Sequence, residues 1–269
     1  MFNTDGLGIL IALLAILAGL RLAFYVVERL FARHDDTSTR VALLPDESPE
    51  QQESPAVPPA PRRYQAWYEV LDSAIIAVAL VAFLIRPFLV QSFIIPSGSM
   101  NNTLIKGDML IASKITYRLH DPHRGDVVVF HAPETALRTL GQVYDPKHPT
   151  EYVKRVIGVP GDRISIVAGE GVYVNGKHLS EPYVRSQVDY YFPTTPNGDL
   201  AVHDAEVRNQ LIPAVHGRDL VVPKGYLFML GDNRTQSHDG HAWGLLRRDR
   251  VVGEAAFIFW PVPRIGIIR

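Results

Sequence analysis

The sequence contains no cysteine, so no disulfide can hold any part of it, and that absence is compatible with either an oxidising or a reducing compartment. Lysine is also scarce, at six of the 27 basic residues, so a role that needs a titratable amine has few candidates. Residues 1–6 carry no Lys or Arg, and the apolar run after them therefore lacks the basic n-region of a cleaved export signal. From Phe93 onward there is no long amphipathic helical pattern. The nucleophile-elbow pattern Gly-x-Ser-x-Gly is absent around Ser99, which removes one common histidine-dependent setting for a serine nucleophile. The formal charge of −1 over 269 residues is an average that misleads, because composition changes sharply along the chain.

What is present begins with apolar runs. Leu7–Val27 is almost wholly apolar, broken by Gly19 and by Arg21, whose long side chain can snorkel toward headgroups. At ~1.5 Å rise per residue, about 20 apolar residues cross the ~30 Å hydrocarbon core, so 7–27 is long enough to span. A second run, Val70–Ile85, follows Trp67 and Tyr68 and is shorter, so either Asp72 and Arg86 lie near opposite headgroup layers or the bilayer thins locally. Between them, residues 45–61 are rich in Pro, Glu, Gln and Ser, with too little apolar surface to offset chain ordering. Arg29, Arg33, Arg62 and Arg63 flank this connection, so the loop at 28–67 reads as cytoplasmic. Residues 1–6 and everything from about Ser92 then face outward. The expected order is an outer N-terminus at 1–6, a transmembrane helix at 7–27, a cytoplasmic loop at 28–67 with a disordered 45–61, a second helix and juxtamembrane segment at 68–91, and an extracytoplasmic domain at 92–269.

That last region has the texture of a mainly β fold. Met109–Tyr117, Asp126–His131, Tyr152–Val159, Arg163–Val167, Gly171–Val174, Tyr226–Leu230 and Val251–Trp260 are rich in β-branched and aromatic residues and bounded by turn formers. Asn175-Gly176 predicts a tight hairpin, since that pair tolerates positive φ. Asp189–Pro223 is the least regular stretch, and an inserted lobe is expected around residues 168–225.

Ser99, in Pro96-Ser97-Gly98-Ser99-Met100, lies shortly beyond the second apolar run. A hydroxyl is a poor nucleophile until a base takes its proton. Two kinds of base are available. His238 and His241 lie close to Asp232 and Asp239, leaving a Ser-His-Asp arrangement open, whereas His120, His123 and His148 sit beside Pro or Asp in turns. Among the lysines, Lys106, Lys177 and Lys224 adjoin glycine and Lys147 lies among Pro and His, so Lys114 and Lys154 remain as strand candidates. Strand alternation puts Tyr152, Lys154 and Val156 on one mostly apolar face, with Arg155 nearby as a second positive charge. Both effects favour a neutral amine, although a lone strand lysine can equally face solvent.

Four segments carry a resemblance to a known family. Phe93-Ile94-Ile95-Pro96-Ser97-Gly98-Ser99-Met100, followed by Thr103-Leu104 and Gly107-Asp108, resembles the nucleophile box of bacterial type I signal peptidases, the leader peptidases with a Ser/Lys dyad. Gly125–Phe130 is similar to their next box, Tyr152–Asp162 to their lysine box, and Gly231-Asp232-Asn233-Arg234 with Ser237, Asp239 and Trp243-Gly244 to the last. The resemblance implies an antiparallel β-sheet catalytic domain behind two N-terminal transmembrane helices. It implies a serine endopeptidase of the bacterial cytoplasmic membrane, its catalytic domain on the periplasmic face, that cleaves signal peptides from exported preproteins after small residues.

By motif position, the resemblance makes Ser99 the nucleophile, Lys154 the general base, Ser97 an oxyanion donor and Ser237 the residue that orients the lysine. Asp232, Arg234 and Asp239 become a supporting charged network. Phe93, Ile95, Pro96, Leu104 and Val153 become the lining of shallow pockets for small side chains. Preproteins, membrane phospholipid and the export machinery are the implied partners; no metal, cofactor or nucleic acid is implied. Two departures stand out. The family usually has x-Pro-Thr after the methionine, where this chain has Asn101-Asn102-Thr103, and the usual arginine after the family aspartate is His241. Alternatives are an inactive or partner-binding membrane-tethered β module, and a Ser/Lys self-cleaving protease of the repressor type, against which Leu7–Val27 argues.

Overall fold

The computed structural model describes residues 13–22, 25–26, 65–81, 83 and 89–269. The chain falls into two compact units, Met1–Pro87 and Phe88–Arg269. In the first, residues 13–22 and 25–26 are helical, and Gln65–Leu80 forms a second helix of 16 residues. Arg21, expected to reach for headgroups, instead forms an ion pair with Asp72. Among the described residues no helix is long and apolar enough to cross a membrane. The rest of the expected first span, the loop through residue 64 with its segment 45–61, and residues 84–88 lie outside the described residues.

The second unit is built on antiparallel strands. The larger sheet contains β1 (Val90–Ile94), β2 (Met109–Ser113), β3 (Val127–His131) and β4 (Glu151–Gly158). Strands β5 (Arg163–Val167), β6 (Gly171–Val174), β7 (Lys177–His178), β8 (Val215–His216) and β9 (Asp219–Val221) form a smaller sheet ordered β7-β6-β5-β9-β8. The chain then returns to the first sheet as β10 (Tyr226–Leu230), β11 (Leu246–Arg247), β12 (Val251–Trp260) and β13 (Gly266–Ile267). The larger sheet has eight strands in the order β1-β2-β12-β3-β4-β10-β11, with β13 also paired to β12.

Burial follows the two-residue period of strands. In β3, Val127 and Val129 enter one apolar cluster with Leu110, Ala112 and Ala255, while Val128 and Phe130 enter another with Val156, Met229 and Trp243. A strand covered on both faces reads as an unbroken apolar run, which explains Val-Val-Val-Phe. A third cluster joins the smaller sheet to Ile157, Phe228 and Leu230. The Asn175-Gly176 turn takes positive φ at both residues and joins β6 to β7 in register.

Three expectations change. β1 begins at Val90, inside the stretch expected as juxtamembrane, because Val90 and Gln91 pair with Ser113 and Ala112. The run Met109–Tyr117 is a strand only to Ser113, and Thr116–Leu119 forms a helical turn whose threonine hydroxyl bonds Ser113. Lys114 lies in that connection and Lys177 in a strand, the reverse of their expected places.

Candidate active site

The segment after β1 is fastened at both ends. Ile95 donates its N–H to Asp108 and accepts from Gly107, extending the edge of the sheet by one residue. Met100 and Leu104 are buried in the core below, and Leu104 donates to the Met100 carbonyl at 2.8 Å. Between these anchors Pro96 and Ser97 are exposed and Ser99 is half-buried. Asn233 clamps the turn from the opposite side: its backbone N–H reaches the Ser99 carbonyl at 3.1 Å and its side-chain amide reaches the Gly98 carbonyl at 3.0 Å. Gly231 lies against the same turn, and a Cβ there would stand 2.4 Å from the Ser99 carbonyl oxygen.

Lys154 comes from the middle of β4 and is only 4% exposed. Its Nζ lies 2.5 Å from Ser99 Oγ, while Ser97 Oγ is 3.4 Å from the same oxygen. Burial pushes the Lys154 amine down to about 8, against the opposing influence of Asp239 and Asp232. Arg155, expected to help lower it, points into a different set of contacts, because strand alternation sends neighbouring side chains to opposite faces. It is 1% exposed and grips Asp232 through two nitrogens, at 2.9 and 2.6 Å. Asp232 also accepts from the Thr103 hydroxyl.

The remaining polar residues form a frame. Asp239 is fully buried, accepts from the Gly231 N–H at 2.8 Å and bonds His241 Nδ1 at 2.7 Å. Burial acts to raise its carboxyl, but the His241 hydrogen bond, the Lys154 charge and the Gly231 N–H together hold it below the usual carboxylate range. His241 stacks on Tyr190, with centroids 4.0 Å apart. His238 bonds Thr139 Oγ1 at 2.9 Å, so neither histidine of the Ser-His-Asp alternative is placed on Ser99. Arg234 donates to the Gly231 carbonyl and makes a two-pronged contact with Glu181 at 2.6 and 2.5 Å. Ser237 Oγ is buried and has no hydrogen-bond partner among the described residues; it lies 2.1 Å from the place a Gly231 Cβ would occupy, so it packs against that glycine.

The residues expected to line pockets divide by exposure. Leu104 is wholly buried and Ile95 nearly so, both packed with Met100, whereas Phe93 and Val153 are half-buried beside the same cluster and Pro96 is exposed. Asn102 adopts φ +91°, which a proline, locked near −65°, could not take, so the loss of the family proline accompanies a different local backbone. Thr103, Glu181 and Tyr190 have no sequence-based site role, and Arg155 has one only as a neighbouring charge. Arg155 and Thr103 stand inside the matched boxes, but Glu181 lies 53 residues from Arg234 in the chain and has no local signature.

A protein-family model described as signal peptidase, peptidase S26, matches residues 67–260. The chain belongs to that family. It is therefore a serine endopeptidase of the signal peptidase type. Similar curated relatives include a probable signal peptidase I-2 of Synechocystis, 35% identical over 75% of this chain and 77% of that protein. The signal peptidase I of Leptolyngbya laminosa is 35% identical over 82% of this chain and 94% of its own length. The signal peptidase IB of Staphylococcus aureus is 36% identical over 61% of this chain and 74% of its own.

Proposed function

We propose that Ser99 and Lys154 are the catalytic dyad of this signal peptidase and that the chain removes N-terminal signal peptides from exported preproteins. The observation that carries the reading is the 2.5 Å contact between a buried lysine amine and the Ser99 hydroxyl. A nucleophile within hydrogen-bond reach of a base whose ordinary charge is suppressed is the arrangement that acyl transfer requires.

With the amine neutral, Ser99 Oγ–H donates to Lys154 Nζ. Oγ attacks the scissile carbonyl carbon and its proton passes to Nζ, giving a tetrahedral oxyanion and an ammonium. The Ser99 backbone N–H and the Ser97 hydroxyl are the donors proposed to face that oxygen. Collapse breaks the C–N bond, and the ammonium returns its proton to the leaving amine of the mature protein. The acyl-enzyme ester is then attacked by water, which gives a proton to Lys154. A second collapse frees the signal peptide as an acid and restores the Ser99 hydroxyl.

The preprotein is proposed to lie extended along β1, which among the described residues has a partner strand on one side only, with small side chains set against Phe93 and Val153 and alongside Pro96, over a floor backed by the buried Ile95 and Leu104. Asp232, Arg234 and Asp239 are proposed as the frame of the dyad, and Ser237, whose hydroxyl is buried, as the residue that orients the Lys154 amine. The two apolar runs support a multi-pass protein of the bacterial cytoplasmic membrane with its catalytic domain outside, in contact with phospholipid and the export machinery. Binding the substrate's own apolar segment in that bilayer would supply proximity.

Incubating the purified full chain in detergent with a preprotein should release the mature protein by a cut after a small-x-small sequence. Ser99→Ala should leave the preprotein intact while keeping the wild-type circular dichroism spectrum. An unprocessed preprotein with the wild-type chain, or processing by Ser99→Ala, would count against the reading.

A further inference from the structure

The dyad stands on three separate stretches of backbone: the turn carrying Ser99, strand β4 carrying Lys154, and the segment at 231–239. One short piece of the smaller lobe touches all three. Glu181 and Tyr183 lie in a turn after β7, closed by the Val184 N–H on the Glu181 carbonyl. The Glu181 carboxylate holds both terminal nitrogens of Arg234, whose Nε bonds the Gly231 carbonyl at 2.9 Å. The Tyr183 ring lies over the Arg155 guanidinium, 3.8 Å from centroid to Cζ. The Tyr183 carbonyl accepts from the Asn102 side chain at 3.4 Å, and its hydroxyl donates back to Glu181 at 3.0 Å.

These contacts converge on positions where small displacements matter. Gly231 is pressed on the Ser99 carbonyl, Arg155 immediately follows Lys154, and Asn102 sits in the turn that begins at Ser99. Arg234 and Arg155 are each 1% exposed, so neither can rearrange into water if its partner is lost. The two-pronged Arg–carboxylate contact and the stacked ring both fix direction as well as distance.

We infer that Glu181 and Tyr183 form a clip that sets the distance and angle between Ser99 and Lys154, making both residues positioning residues for peptide cleavage. The inference rests on the Ser99–Lys154 reading. It assigns to the smaller lobe a part in catalysis that none of its own residues performs by touching substrate. Glu181→Gln preserves shape but turns an amide N–H toward an arginine nitrogen, which breaks the paired contact.

The test is steady-state cleavage of a preprotein by the full chain in detergent, first with wild type and Ser99→Ala, then with Glu181→Gln, Tyr183→Leu and Tyr183→Phe. Because misplacing reacting groups by an ångström costs up to ~100-fold, Glu181→Gln and Tyr183→Leu should lower kcat by at least ~10-fold with KM within about twofold. Tyr183→Phe keeps the ring on Arg155 and should recover most of the Tyr183→Leu loss. Tyr183→Leu leaves the Glu181–Arg234 pair in place, so it reports even if Glu181→Gln does not fold. Wild-type kcat in folded Glu181→Gln or Tyr183→Leu, or a change confined to KM or to the melting temperature, would overturn the clip while leaving the dyad standing. A wild type that does not cleave would overturn both.

Discussion

Lys154→Met should lower kcat by roughly 10²–10⁴-fold, the range that a positioned general base contributes, without weakening the fold. Methionine fills nearly the same volume but has no amine to take the Ser99 proton. The effect on stability follows from the sign of the pKa shift. An unfolded lysine titrates near ~10.4, whereas burial holds Lys154 at about 8 in the folded chain. Between those values the unfolded state binds more protons, so stability rises with pH through that window. Below about 8 the amine is charged in both states and its burial penalises the folded one in full. Replacing it with methionine should therefore leave the melting temperature at pH 7 equal to or above wild type. Activity retained by folded Lys154→Met would remove the lysine from the mechanism.

Asp232→Ala should destabilise the folded chain by about 3–5 kcal/mol, the cost of leaving a buried charge without its partner. Arg155 has almost no access to water, and among the described residues its remaining acceptors are the Gly125 carbonyl, the Thr103 hydroxyl and the main-chain oxygen of Arg269, none of them a side-chain carboxylate. The loss should appear as a lower thermal midpoint followed by near-ultraviolet circular dichroism. Replacing both partners, as Arg155→Met with Asp232→Leu, should recover much of it, since two apolar groups leave no charge stranded. A double variant no more stable than Asp232→Ala would show that the pair does more than neutralise itself. Because Asp232 adjoins Gly231, both variants should also cleave more slowly than wild type.

Much of the sheet was legible because its strands are long enough to show a period. β5, β6, β10 and β12 have the bounds that their β-branched and aromatic runs give, with Asp162, Asn175, Gly225, Gly231 and Pro261 among the residues that flank them. β7, β8, β11 and β13 have two residues each and carry no periodicity of their own; they exist because a longer neighbour offers unpaired backbone. β1 is hidden in the sequence for another reason. Val90 and Gln91 follow an apolar run and read as its continuation, and only the pairing with β2 sets them apart.

At the site, the proximity of Ser99 and Lys154 could be expected from matched boxes, since the two residues are 55 apart in the chain and no local pattern joins them. What the boxes do not contain is the support from outside. Glu181 meets Arg234 only because the smaller sheet folds its β7 end back over the segment at 231–234. Arg155 does not act on Lys154 for a local reason: alternate strand residues face opposite ways, so the nearest charge in sequence is not the nearest in space. Burial, not Arg155, lowers the Lys154 amine. The His241 departure, by contrast, keeps the contact that matters to Asp239, through one ring nitrogen at 2.7 Å.

The pH dependence of kcat/KM for preprotein cleavage by the wild-type chain tests the central claim most directly, because it reports which group must lose a proton before Ser99 can attack. The rate should rise through a single limb near pH 8, the value to which burial brings Lys154, and that limb should persist in His238→Gln and His241→Gln. A limb near ~6.5 that vanishes on replacing either histidine would assign the base to an imidazole and contradict the account.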